Sequence, residues 1–174
     1  ERLAGLSDIQ RGLDLLFGAE KLNFGPASFY LYKLYSEGSE GIARNIDLAL
    51  DHLGKGSQLN HPASLAFMAR RLQDGDGVAR DELKAEQYLD AAARYEDPWA
   101  MKYLAQQILS KNPGIHSLKR AFKMLDKVAE LESTGESEFI KGKYLLEFLD
   151  QEREAWKLID AARDKGWEAA VLFK

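Results

Sequence analysis

The chain has 174 residues, 24 basic and 28 acidic, for a formal net charge of −4, and it contains no cysteine. Disulfides, thiolate metal sites and cysteine nucleophiles are excluded, and a mixed-sign, mildly acidic balance is a poor start for binding nucleic acid or an anionic membrane. Leu and Ala supply 26 and 22 residues while Ile, Val and Thr supply 7, 3 and 1, so the chain reads as all-α and a β-sheet of any size is ruled out.

Taken in order, Ser7 followed by Gln10 predicts a capping box on the first helix, which carries Gly12, Leu15, Leu16 and Ala19. Pro26 opens a helix over Ala27 to Glu37, the run Gly38-Ser-Glu-Gly41 ends it, and Asn45 caps a second helix bearing Ala49, His52, Leu53 and Gly56. Pro62 opens Ala63 to Asp74, Gly75-Asp-Gly77 ends it, and Asp81 caps the helix of Ala85, Tyr88, Leu89 and Ala92. Pro98 opens Trp99 to Ser110, Asn112-Pro-Gly114 follows, and Ser117 is expected to cap the helix of Ala121, Met124, Leu125 and Val128. Ser137 to Phe148 and the helix of Ala155, Leu158, Ile159 and Ala162 complete the series, joined by a shortened loop without glycine.

These elements repeat. The three prolines are 36 residues apart, and the pattern of small, large, large, small at +0, +3, +4 and +7 starts at 12, 49, 85, 121 and 155. Positions with that spacing share one helical face, and the small residues let a neighbouring helix approach closely. The unit is a helical hairpin: a partial repeat over 1–25, repeats over 26–61, 62–97, 98–134 and 135–166, and the start of a further helix over 167–174. Glu1 begins without an initiator Met or leader and Ala170-Val-Leu-Phe stops inside a unit, so the expectation is a fragment of a longer, soluble chain.

Within the stretch from Ala63 to Ala93, Gly75, Gly77, Val78, Asp81, Lys84, Ala85, Tyr88, Leu89, Ala92 and Ala93 meet the pattern Gly-x-Gly-Val-x-x-Asp-x-x-Lys-Ala-x-x-Trp-Tyr-x-Lys-Ala-Ala. In this the sequence resembles the Sel-1-like repeat family, a relative of the tetratricopeptide repeat. The copy beginning at Ala27 departs by an inserted residue between Gly38 and Gly41 and by His52 in place of the aromatic. The resemblance implies a right-handed α-α superhelix, a solenoid of about four and a half hairpins, with the first helix of each unit on the concave side.

Chemistry is sparse. Catalytic motifs are absent, Gly54-Lys-Gly-Ser lacks the strand and leading glycine of a phosphate loop, and Asp74-Gly-Asp76-Gly lacks the later calcium ligands. His52 sits at a core position, and His61 and His116 fall in different connections, so no metal site, cofactor or catalytic residue is assigned and the chain is read as a non-enzyme.

Aligning the first helices on a small position gives Tyr32, Ala69, Ala105 and Gly142. The next residue is Lys33, Arg70, Gln106 and Lys143, and four further on stand Glu37, Asp74, Ser110 and Glu147. Two readings stay open: exposed i,i+4 ion pairs worth about 0.2–0.5 kcal/mol each, or ladders of donors and acceptors facing a partner. These pairs run base before acid, with carboxylates near helix C-termini where the macrodipole opposes them. Trp99, Phe29 and Phe139 fall beside the ladders, as binding anchors or as wedges between repeats.

The function expected is a protein–protein interaction scaffold that binds a protein or peptide partner, with Lys33, Glu37, Arg70, Asp74, Trp99, Gln106, Lys143 and Glu147 as the contact residues. The alternatives are an inhibitory or immunity-type protein that blocks an enzyme and, remotely, a hydrolase using carboxylates. Nucleic acid and membrane insertion are not expected. The compartment, bacterial cytoplasm or periplasm, and the oligomeric state stay open.

Overall fold

The computed structural model describes residues 2–39 and 41–173, with side chains from residue 8 onward. It divides into two compact units, Glu1–Asp97 and Pro98–Lys174. The first holds α1 (Arg2–Lys21), α2 (Gly25–Glu37), α3 (Ile46–Gln58), α4 (Pro62–Asp74) and α5 (Glu82–Arg94). The second holds α6 (Pro98–Ser110), α7 (Ile115–Leu131), α8 (Glu136–Phe148), α9 (Glu152–Asp164) and the short α10 (Glu168–Leu172). No strand occurs among the described residues; a single bridge joins Ser39 and Ile42 across the α2–α3 loop.

The sequence sets these boundaries through its caps. Pro26, Pro62 and Pro98 lie in the first turns of α2, α4 and α6, where a missing N–H removes no helical bond. Asn45 Oδ1 accepts from Leu48 N at 3.1 Å, and Asp81 Oδ1 accepts from Lys84 N at 3.0 Å. His61 caps α4 in the same manner, its Nδ1 accepting from Ser64 N at 3.3 Å. Three expectations are corrected. Ser7 lies inside α1, whose backbone is helical from Arg2, and not at its start; its side chain, and with it the expected capping box, lies outside the described residues. Ser117 is inside α7, which starts two residues earlier behind Gly114. Gly114 has φ −64°, and the left-handed residue of that loop is Asn112 at φ 48°.

Four antiparallel hairpins, α2/α3, α4/α5, α6/α7 and α8/α9, form the core. Leu53, Leu89, Leu125 and Ile159, the +4 residues of the repeated pattern, are 0–1% exposed. Burying each contributes about 1.5–3 kcal/mol. The small residues beside them allow that approach: a methyl on Gly142 would lie 2.9 Å from the Ala155 carbonyl oxygen and 2.9 Å from Ile159 Cγ1. In α1 the same pattern is only partly covered, with Leu16 and Ala19 half-buried. Leu15, expected on the shared apolar face, is 70% exposed, and nothing lies within 4 Å of a Cβ at Gly12.

The turns leading into α2, α4 and α6 place Asn23, Asn60 and Glu96 at φ 56–61°, and Gly166 takes the same role before α10. Asparagine and glycine tolerate that backbone readily. Asp150 does the same at φ 51° in the glycine-free α8–α9 connection.

Candidate functional site

On α2 and α4, the helices that carry the ladder in the first unit, Lys33, Glu37, Arg70 and Asp74 are exposed, while Tyr32 and Ala69 beside them are buried. The helical period explains this: a residue one position after a buried contact swings about 100° toward solvent. Arg70 and Asp74 pair at 3.7 Å. No such pair joins Lys33 and Glu37.

Between the two helices the space is filled from within. The Tyr32 and Phe67 rings meet edge to face at 5.6 Å, and Phe29 packs on Phe67 at 5.2 Å and on His61 at 5.3 Å. Phe29 is therefore a wedge between α2 and α4. Arg71, absent from the sequence-derived set, donates from Nη2 to Tyr32 Oη at 3.2 Å, lies 5.7 Å from the Tyr32 ring centroid and pairs through Nη1 with Asp76 at 2.5 Å. What remains is a cavity of about 180 Å³ against Tyr32, Phe67, Arg70, Arg71, Asp74 and Asp76. Both arginines already have carboxylates beside them, which leaves little net charge to present.

In the second unit, α6 and α8 place Gln106, Ser110, Lys143 and Glu147 in solvent beside buried Ala105 and Gly142. Lys143 and Glu147 pair at 3.7 Å with roughly half of each side chain exposed. Here the space between the helices is open, a cavity of about 410 Å³ with Phe139, Ile140, Tyr144 and Phe148 on the α8 side and Gln106 and Leu109 on the α6 side. Tyr144 stacks on Phe148 at 4.9 Å, and Phe148 is 63% exposed. Tyr144 and Phe148 were not singled out from sequence, although their spacing of four places them one turn apart on a single face.

The remaining aromatic candidates are tied into the fold. Trp99 is half-buried and stacks on Tyr103 at 5.3 Å. Phe139 meets Phe173 edge to face at 5.5 Å and packs against the Ile159, Ala162 and Ala170 cluster.

Two polar clusters lock helices together. His52, stacked under Tyr35 at 5.7 Å, has Nδ1 2.7 Å from Glu20 Oε1, and Lys55 Nζ donates to Glu20 Oε2 at 3.1 Å. Burial alone would raise the Glu20 pKa, yet the bonds from His52 and Lys55 outweigh it and hold the carboxyl below its ordinary value. Lys102 on α6 donates to Glu136 at 2.6 Å and Glu132 at 3.0 Å. Burial opposes its charge, but the two carboxylates prevail and its pKa is raised. His52 was legible as a core residue; Glu20, its partner 32 positions earlier, was not.

The geometry can present neutralised charge, amide and hydroxyl groups and exposed aromatic surface. Among the described residues no group of three or more His, Asp or Glu side chains is arranged to hold a metal ion, and no helix is long and apolar enough to cross a membrane.

No family model matches the sequence. One curated relative, cytochrome c oxidase assembly factor 7 of Xenopus tropicalis, is 36% identical over 64 residues, 37% of this chain and 28% of that protein. This chain thus matches little more than a quarter of that relative's length. Among solved structures, the Sel1 repeat protein from Oxalobacter formigenes superposes with a TM-score of 0.77 and 22% identity, over 91% of this chain and 46% of that one. The immunity protein Pa5087 of Pseudomonas aeruginosa gives 0.58 and 18%, over 94% and 61%. Four helical hairpins in tandem among the described residues, the glycine and cap pattern from Gly75 to Asp81, and these superpositions converge: the chain has the α-solenoid fold of Sel1 repeat proteins.

Proposed function

We propose that this chain is a non-catalytic interaction scaffold that recognises a protein or peptide partner through the first helices of its hairpins. The observation that carries the reading is the division of labour on those helices. Tyr32, Ala69, Ala105 and Gly142 are buried, while the neighbouring Lys33, Arg70, Gln106 and Lys143 and the residues four further on are exposed. Fold and contact surface therefore occupy different positions of one helix, so the surface is free to vary without cost to the core. Exposed polar groups of this kind, several of them already paired, select among partners more than they add raw affinity.

The test is affinity capture from soluble and envelope fractions with wild type and with the combined Lys33→Glu, Arg70→Glu and Lys143→Glu variant. A partner held by wild type and lost by the variant, with helicity and Tm unchanged, is the expected result. Equal recovery by both would overturn the assignment of these residues. A second reading, an immunity-type inhibitor, is favoured by the likeness to the Pseudomonas immunity protein over 94% of this chain. It predicts that the captured partner is an enzyme whose turnover the purified chain suppresses stoichiometrically.

A further inference from the structure

We propose that the cavity between α6 and α8 is a receptor for one aromatic side chain, Phe or Tyr, of a neutral partner segment. This rests on the scaffold reading above and names the chemistry that part of the surface recognises. Among the aligned positions at which the two units differ, α2 carries Tyr32 where α6 carries Ala105, and both are buried, at 3% and 0% exposure. In the first unit the Tyr32 ring occupies the space between the first helices, edge-on to Phe67 and beneath Arg71, and about 180 Å³ remains. In the second unit Ala105 is packed into a buried cluster with Leu109 and Tyr144, no ring stands at its position, and about 410 Å³ stays open beside that cluster. The chain itself shows what fills such a space, an aromatic ring.

The walls suit that occupant. Leu109, Phe139, Ile140, Tyr144 and Phe148 give an apolar lining above the roughly 300 Å³ at which ligand pockets begin. Rings offer an entering ring the offset and edge contacts that aromatic pairs prefer. Phe148 stands at 63% exposure, a large apolar group in water that an incoming ring would cover. Around it, Gln106, Ser110 and Asn112 supply both donors and acceptors, and the Lys143–Glu147 pair at 3.7 Å cancels its own charge. A peptide main chain, neutral with one donor and one acceptor per residue, matches that rim. A charged side chain would have to compete with the Lys143–Glu147 pair for its counter-charge.

The experiment is an NMR titration of the whole chain with N-acetyl-phenylalaninamide and N-acetyl-tyrosinamide, against N-acetyl-glycinamide, N-acetyl-lysinamide and N-acetyl-glutamine as controls. The aromatic amides should give saturable, millimolar shifts at Gln106, Ser110 and Ile140 to Phe148, with the controls silent. Ala105→Tyr, which installs the ring of the first unit, should abolish those shifts. Phe148→Ala, at a largely exposed site, should weaken binding about two- to tenfold, the worth of one aromatic pair, and decides the matter if Ala105→Tyr fails to fold. Shifts that do not saturate, that appear equally with the controls, or that survive Phe148→Ala unchanged overturn the proposal. Failure of the aromatic probes alongside loss of partner by the charge-reversal variant sinks the cavity while the scaffold reading stands. Cavity binding with unaffected capture does the reverse.

Discussion

Replacing Gly142 by alanine asks whether close helix approach or helix propensity dominates in these hairpins. Glycine inside a helix is about 1 kcal/mol less favourable than alanine, so propensity alone makes Gly142→Ala stabilising. The structure argues otherwise, because the added methyl would meet the Ala155 carbonyl oxygen at 2.9 Å, Ile159 Cγ1 at 2.9 Å and Leu158 Cβ at 3.2 Å. A backbone oxygen cannot rotate aside, so α8 and α9 must separate, and overpacking of this kind costs about 1–3 kcal/mol. The net expectation is a loss of up to about 2 kcal/mol. Gly54 in α3 is the control: it is also inside a helix, yet nothing lies within 4 Å of a Cβ there, so Gly54→Ala should gain up to about 1 kcal/mol. Urea melts of both variants give the comparison, and Tm should move by about 2–4 °C per kcal/mol. If Gly142→Ala stabilises as much as Gly54→Ala, close packing is not what selects small residues at these positions.

Glu20→Ala leaves the buried His52 nitrogen without its acceptor and should cost about 1–3 kcal/mol. Since the folded Glu20 pKa lies below its ordinary 4.5, its contribution is complete above about pH 4.5 and lost as pH falls through the lowered value; the difference between wild type and Glu20→Gln in melts should shrink over that range. Burial lowers the His61 pKa below 6.5, and a charged ring cannot accept from Ser64 N, so its cap stabilises α4 above about pH 6.5 and fades as pH drops through the lowered value. His61→Asn should retain a cap and flatten that part of a Tm-versus-pH curve. Lys102 has the opposite sign: with its pKa raised, its contribution is present below about pH 10.5 and lost as pH rises through the folded value. Lys102→Met should cost about 1–2 kcal/mol at neutral pH, discounted for the partial exposure of Glu132 and Glu136, with little alkaline dependence left.

Much of this is legible in the sequence. Proline at the helix start, Asn45 and Asp81 at the caps and the +0, +3, +4, +7 pattern are local signals, and each has one physical solution. Errors fell where two residues can do one job: Asn112 and Gly114 both tolerate a left-handed backbone, and the chain uses the asparagine. Ser117 failed because a hydroxyl can sit mid-helix as readily as it caps. Leu15 failed because burial of a face requires a neighbour, which no pattern on the helix itself reports. The contacts that give the faces their character, Arg71 on Tyr32, Lys102 between Glu132 and Glu136, Tyr144 on Phe148, depend on the register between helices or on ring orientation. Helical period fixes which way a residue points and leaves open which side chain it meets.

The polar locks have a kinetic consequence. His52 reaches back 32 residues to Glu20, Lys102 forward 34 to Glu136, and Arg71 back 39 to Tyr32, so each spans about one repeat. Closing a loop of that length costs the same small entropy wherever it occurs, and topologies built from such local closures fold rapidly and nucleate at more than one place. Lengthening an array built this way adds an interface without adding a longer closure, so copy number can change while the folding barrier scarcely does.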